Sequence, residues 1–226
     1  MKSNYFILSH ISKKEIIGSD YPQSYSFTKE YNPNSKNAIF ELYKYKTDFP
    51  NFIPNLDGIK LSNKAKLTDF ISNSFGEYIV SPKVKDILEK YILCPHRFYK
   101  IKLHHKKVVY DYFLLKIISN YSHYVDYAQS TFVEYDYFHK GEIIPIKSIE
   151  DLLSKRKELK DLYPDKNITI WADHIIFNSE FQANIDFFEI GIIDSKTYIS
   201  EKLYEDFLTS SVTGIEYEQI VFQISN

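Results

Sequence analysis

The sequence predicts an α+β fold in which a mostly antiparallel β-sheet carries a few short, capped helices. Many short runs of β-branched and aromatic residues alternate with turn formers, as in sheet proteins. Three serines each stand immediately before an apolar pattern with helical spacing. Of the 226 residues, 44% are apolar and 26% are charged, so the chain has the composition of a soluble globular protein with a substantial core.

The N-terminal part favours strands separated by irregular segments. Tyr5–Leu8 has the composition of an opening strand, and residues 18–37 are rich in turn formers. Ala38–Tyr45 is predicted to be a further strand. We expect residues 1–54 to contribute a strand and an irregular segment to the same domain as residues 55–226.

The first strand-and-helix unit follows a turn at Asp57-Gly58 and an apolar stretch at residues 67–76, for which a short helix or a pair of turns is predicted. The residues that follow read GEYIVSPKVKDIL, in which a short apolar run ends at Ser81. Serine is a favourable N-cap, and the proline after it falls where a missing N–H costs nothing. We therefore expect Ser81 to cap a helix that packs on a sheet.

The middle of the chain resembles a hairpin followed by more strands and one longer helix. Strand-like runs cover residues 98–103 and 108–118 around a polar HHKK turn, and further strands are expected at 124–127 and 131–138. Ser148 begins a capping-box pattern, with aspartate in the place of the usual glutamate, so a helix is expected to begin there. Short strands are then expected at 168–171, 175–177 and 186–193.

A second unit near the C-terminus repeats the first. The segment TYISEKLYEDFL again has an apolar run, a serine at Ser200 and a helical pattern, followed by Gly214 and a final strand at 215–224. The chain could contain two similar halves that arose by duplication. Alternatively, both units are the same local solution to packing a helix on a sheet, and this second interpretation is favoured because it requires no shared history.

No residue pattern indicates catalysis, a metal site or a cofactor. The net charge is −2, the six glycines form no phosphate-binding loop, and the single cysteine excludes an internal disulfide. Asp173-His174 could be half of an acid-oriented base, although a turn between two strands explains the pair equally well. The N-terminal apolar run of four residues is too short for a signal peptide or a membrane span, so a cytosolic protein is expected.

One stretch is a candidate surface for binding a partner. Acidic residues and tyrosines alternate in Glu134, Tyr135, Asp136 and Tyr137. Tyrosine is enriched at protein interfaces because it offers a large contact area and a hydroxyl group. An ordinary half-buried strand with aromatics inside and acids outside explains the same pattern.

Several short motifs, taken in order, resemble one known protein family. They are Asp57-Gly58-Ile59-Lys60, Leu67-Thr68-Asp69-Phe70, Asn73-Ser74-Phe75-Gly76, Ile79-Val80-Ser81, Tyr110-Asp111-Tyr112-Phe113, Tyr198-Ile199-Ser200 and Gly214-Ile215-Glu216-Tyr217. Together they look like a family of immunity proteins from bacterial polymorphic toxin systems, first catalogued as a domain of unknown function. The resemblance spans residues 55–225 and departs in the segment 18–37 and in the single tryptophan, Trp171.

The resemblance implies a non-catalytic protein that binds and blocks the catalytic domain of a cognate toxin in the cytosol. It assigns no binding residues, because immunity surfaces differ between family members. Two alternatives remain open: an enzyme that reverses a toxin's modification, and a nucleic-acid-binding module using the basic segment 83–107. The scarcity of arginine disfavours nucleic acid as a partner, and no membrane partner is expected.

Overall fold

A computed structural model describes residues 2–137 and 139–225. The α-helices are α1 (Lys14–Ile17), α2 (Pro82–Leu88), α3 (Ile149–Leu162) and α4 (Glu201–Thr209), with short 3₁₀ helices at Ile39–Lys44 and Ser122–Tyr124. The first strands are β1 (Lys2–His10), β2 (Ser24–Phe27), β3 (Ile59–Leu61), β4 (Phe70–Ile71), β5 (Tyr78–Val80), β6 (His96–His105) and β7 (Val108–Ile117). The remaining strands are β8 (Thr131–Asp136), β9 (His139–Ile143), β10 (Ile168–His174), β11 (Ile176–Phe177), β12 (Phe187–Glu189), β13 (Thr197–Ser200) and β14 (Ile215–Ile224).

These strands form three sheets, of six, five and three strands. The six-stranded sheet has the order β2-β3-β6-β7-β5-β4, the five-stranded sheet β11-β14-β1-β13-β12, and the small sheet β10-β8-β9. Among the described residues, only β3·β6 and β11·β14 pair in parallel within these sheets. The predicted α+β class with mostly antiparallel sheet is therefore confirmed.

Two parts of the chain have the same topology. In the first unit, residues 59–117, the strand order is β3-β6-β7-β5-β4, and α2 connects β5 to β6. In the second unit, residues 176–224 together with β1, the order is β11-β14-β1-β13-β12, and α4 connects β13 to β14. The parallel pair, β3·β6 in the first unit and β11·β14 in the second, lies at the same edge of each unit. Strand β1 occupies the central position in the second unit that β7 occupies in the first.

The register of the two units also agrees. Val80 lies opposite Phe70 and Phe113, and its counterpart Ile199 lies opposite Phe187 and Phe6. The strands β6 and β14 both have ten residues, and each residue of β14 lies 119 positions after its counterpart, as Ser200 does after Ser81. A local packing solution does not require a constant spacing over a helix and two strands. The structure therefore favours a duplicated unit over the interpretation that the sequence alone favoured.

The helices of the two units pack against each other. Val84 and Leu88 of α2 share one buried cluster with Leu203 and Phe207 of α4. Two further clusters lie under the first unit and under the second unit, respectively. Within the described residues, no helix combines the length and the apolar composition needed to cross a bilayer.

The irregular N-terminal part differs most from the sequence prediction. The predicted strand at Ala38–Tyr45 is wrong, because Ile39–Lys44 is a 3₁₀ helix that buries Ile39 and Leu42 on one side. A 3₁₀ turn also replaces part of the strand expected at 124–127, and residues 67–76 contain the two-residue strand β4, whereas the sequence predicts a short helix or a pair of turns there.

Candidate functional site

The three serines expected at helix N-termini cap their helices. The Oγ atom of Ser81 accepts a hydrogen bond from the backbone N–H of Val84 at 3.3 Å. Ser148 Oγ accepts from Asp151 N at 3.2 Å. Ser200 Oγ accepts from Leu203 N at 3.3 Å. Each bond satisfies one of the backbone donors that a helix N-terminus leaves free.

Two of these serines also donate to a buried or partly buried aspartate. Ser81 Oγ donates to Asp69 Oδ1 at 2.8 Å, and Ser200 Oγ donates to Asp186 Oδ1 at 2.7 Å. A lysine two residues after each serine pairs with the same carboxylate, over 2.8 Å for Lys83 and 3.1 Å for Lys202. We call Asp69 and Asp186 the cap aspartates.

The cap aspartates also join the two units to each other. Asp69 accepts a hydrogen bond at 3.0 Å from the backbone N–H of Thr213, which follows the helix of the second unit. Asp186 accepts one at 2.8 Å from Ile92 N, which follows the helix of the first unit. Sequence reasoning missed both aspartates, although each begins an Asp-Phe pair at the edge strand of its unit.

We expect the three serine caps to differ in their contribution to stability. Ser148→Ala should lower the free energy of unfolding by about 1 kcal/mol, the usual cost of losing an N-cap. Ser81→Ala and Ser200→Ala should each cost about 2 kcal/mol, because they also remove a hydrogen bond to a carboxylate. Urea unfolding of the three variants measures these losses in the free energy of unfolding, and equal losses in all three would contradict the prediction.

The predicted partner-binding residues lie at the end of β8. Glu134, Tyr135 and Asp136 are all half-buried, so the expected alternation of buried tyrosines and exposed acids is absent. Tyr137 follows the strand with a φ of 54° and is 65% exposed. Of the four predicted residues, Tyr137 therefore presents the most surface to a partner.

These residues belong to a lobe inserted between the two units. The lobe, residues 118–175, contains α3 and the small sheet β10-β8-β9. All five residues of β9 are exposed, including Ile143 at 68%. None of the ion pairs among the described residues includes Glu134, Asp136 or Glu142. The lobe thus combines exposed apolar side chains with carboxylates that have no ionic partner inside the described chain.

The other sequence candidates are occupied by structural contacts. Asp173 pairs with Lys140 at 2.8 Å instead of orienting His174. In the basic segment 83–107, three lysines are engaged in ion pairs, and Arg97 donates to the carbonyl of Pro50 while its guanidinium lies over Phe49. Cys94 is buried, which raises the pKa of its thiol to about 12 and keeps it protonated.

A polar pocket that the sequence did not indicate lies where the two units meet. Its volume is about 210 Å³, and its walls include His10, Asn73, Glu77, Tyr78, Glu189 and Ser195. One of these wall residues, Glu77, forms a buried ion pair: Lys116 Nζ lies 2.7 Å from Glu77 Oε1, and both side chains are about nine-tenths buried. Thr197 donates to Glu189 Oε1 at 3.0 Å and is hydrogen-bonded to the hydroxyl of Tyr78.

The electrostatic environment of this pocket is unusual for a protein surface. Burial raises the pKa of the Glu77 carboxyl and outweighs the effect of Lys116. Burial also raises the pKa of Glu189, and the negative charge of Glu77 raises it further. Burial lowers the pKa of His10, whose Nδ1 atom is buried and has no hydrogen-bond partner within the described residues. Perturbed groups that converge on one cavity are typical of functional sites.

Comparisons with known proteins assign no relationship. No protein-family model matches the chain, and no match to a curated protein was found. Within the described residues, no group of three or more histidine, cysteine, aspartate or glutamate side chains could hold a metal ion.

Proposed function

We propose that the protein is a cytosolic immunity protein that binds the catalytic domain of a cognate toxin and blocks it. The motifs that resemble the immunity family support this proposal. Most of their apolar residues are scaffold: Ile59, Phe70 and Ile79 are buried, and Ser81 caps a helix. A family of inhibitors that meet different toxins would share such a scaffold and vary in the surface used for binding.

The inserted lobe is the surface that we assign to the toxin. This assignment is carried by the exposed Tyr137 beside Glu134 and Asp136, on a segment with no counterpart in the repeated units. An exposed tyrosine can serve as an anchor at an interface, and free carboxylates nearby attract a partner of opposite charge. The proposal therefore predicts a toxin domain with a basic contact surface.

Tyr137→Ala should weaken toxin binding about tenfold or more, because it removes the most exposed aromatic side chain among the described residues of the lobe. The double variant Glu134→Gln/Asp136→Asn should mainly slow association and reduce its dependence on salt. Both effects are measured by surface plasmon resonance with the toxin domain encoded in the neighbouring gene, and by rescue of cells that express this toxin.

Tyr21→Ala is the matched control, since Tyr21 is 57% exposed but lies outside the lobe. The control should bind the toxin as the parent protein does. If the protein fails to rescue cells from the neighbouring toxin, the proposed function is wrong. If it rescues them but Tyr137→Ala and Tyr21→Ala behave alike, the assignment to the lobe is wrong.

A second candidate function is an enzyme that reverses a toxin's modification. The pocket between the units favours it, because burial raises the pKa of the Glu189 carboxyl, and a carboxyl that holds its proton more tightly than usual can act as a general acid. The amount of protein needed for protection separates the two candidates. A binding inhibitor must be present in at least the molar amount of the toxin, whereas an enzyme protects at a small fraction of it.

A further inference from the structure

The residues around the pocket between the two units are not repeated from one unit to the other, whereas those at the helix caps are. At the caps, equivalent positions keep the same residue: serine at 81 and 200, lysine at 83 and 202, and aspartate at 69 and 186. Around the pocket the equivalent positions differ in charge. When the two units are aligned by their strand registers, each titratable residue around the pocket has an uncharged or oppositely charged equivalent. Glu77 is equivalent to Lys196, Lys116 to Ser9, Glu189 to Ser72, and His10 to Ile117.

This difference shows that the repeated scaffold does not require a buried ion pair. At the counterparts of Glu77 and Lys116, the second unit has the exposed residues Lys196 and Ser9. Burying Glu77 and Lys116 removes two charges from water, and the mutual attraction of such a pair often fails to offset that cost. The arrangement is therefore poorly explained by stability alone.

The groups that surround the cavity define the chemistry of a ligand. Glu77 and Glu189 are negative when ionised and Lys116 is positive, while the burial of His10 favours its neutral form. With both carboxylates ionised, these groups sum to a charge of −1, and the two carboxylates disfavour each other's ionisation. A single positive group in the cavity would neutralise the cluster and relieve this repulsion.

The size and the hydrogen-bonding groups point to an organic cation. A pocket of about 210 Å³ has room for several waters, which is enough for an ammonium or guanidinium group and part of its carbon chain. Carboxylate oxygens, the hydroxyls of Tyr78 and Ser195, and an imidazole nitrogen can all accept hydrogen bonds from such a group. We propose that this pocket binds a small organic cation, either a free alkylamine or guanidine or the side chain of a lysine or arginine.

Titration of the ¹⁵N-labelled protein with methylguanidinium chloride tests this proposal. The amides of Glu77, Tyr78 and Glu189 should shift and saturate, with a dissociation constant on the order of 1 mM, since so small a ligand makes few contacts. Butylammonium chloride should compete for the same site. Sodium chloride at equal ionic strength should not reproduce these shifts, and shifts of the same size in sodium chloride would overturn the proposal.

Glu189→Gln preserves the shape of the side chain but removes its charge, and should weaken binding about tenfold. The matched control is Glu180→Gln, an exposed substitution away from the pocket that should leave the affinity unchanged. If Glu189→Gln does not fold, Ser195→Leu fills the pocket from its exposed wall and should abolish binding. Unchanged affinity in the folded variant would overturn the proposal.

A blocked Gly-Arg-Gly peptide distinguishes the two sources of the cation. Tighter binding than methylguanidinium assigns the pocket to a side chain presented by a partner, and weaker binding assigns it to a free small molecule. This result is independent of the proposed toxin surface, because the pocket can bind a cation whether or not the lobe binds a toxin.

Discussion

Replacing Asp186 with alanine should lower the free energy of unfolding by about 3–5 kcal/mol, as expected when a buried charge network loses one member. The Asp186 side chain is 1% exposed and accepts hydrogen bonds from Ser200 Oγ, Ile92 N and Lys202 Nζ. The substitution leaves the backbone N–H of Ile92 and the hydroxyl of Ser200 without their acceptor. Because native domains are stable by only about 5–15 kcal/mol, this loss is a large part of the total.

The equivalent change in the first unit should be milder. The Asp69 side chain is 14% exposed, so water can replace some of its hydrogen bonds, and Asp69→Ala should cost about 2 kcal/mol. Urea unfolding of both variants measures the difference. Asp165→Ala, an exposed change in the turn after α3, is the control and should stay within about 0.5 kcal/mol of the parent. A loss at Asp69 as large as that at Asp186 would contradict this account.

The pH dependence of the free energy of unfolding independently tests how much the Asp69 carboxylate stabilises the fold. Burial opposes its ionisation, but the hydrogen bonds from Lys83, Ser81 and Thr213 outweigh burial and hold the pKa of its carboxyl below the usual value. A carboxyl with a lowered pKa stabilises the fold fully above its unfolded pKa, near 3.9, and loses this effect as the pH falls through the folded pKa. The stability difference between the parent and Asp69→Asn should therefore disappear in acid.

The part of this structure that could be predicted from the sequence is the part determined by short-range contacts. The caps at Ser81, Ser148 and Ser200 can be placed from a short local pattern. In this pattern a serine is followed by a proline or an acid and then by apolar residues at helical spacing. The cap aspartates could not be found in this way, because each precedes its serine by more than ten residues and bonds to the other unit.

The strand order also depends on contacts between residues far apart in sequence, which the sequence does not reveal. The sequence reveals two similar serine-capped units, but it does not reveal that β1 completes the second one by pairing between β13 and β14. The counterpart of β7 therefore lies at the opposite end of the chain. The pocket was equally hidden, because Glu77, Lys116 and Glu189 are far apart in sequence and converge only through sheet pairing.

Replacing Lys116 with methionine should destabilise the protein by about 3–5 kcal/mol near neutral pH, because it leaves the buried carboxylate of Glu77 without its partner. The double variant Glu77→Leu/Lys116→Met should regain most of this loss, since apolar residues of similar size avoid the cost of removing both charges from water. Urea unfolding of both single variants and the double variant completes a double-mutant cycle.

The pH dependence of the Lys116→Met variant tests the cause of its instability. Burial already raises the pKa of Glu77, and without the ammonium group of Lys116 this pKa should rise further. A carboxyl whose folded pKa lies above its unfolded pKa favours the fold most below the unfolded value, near 4.3, and this advantage is lost as the pH rises through the folded pKa. The deficit of Lys116→Met should therefore be smaller at pH 5 than at pH 8. A deficit that does not change between these pH values, or a double variant as unstable as Lys116→Met, would show that the side chain of Lys116 stabilises the fold by packing and not by neutralising Glu77.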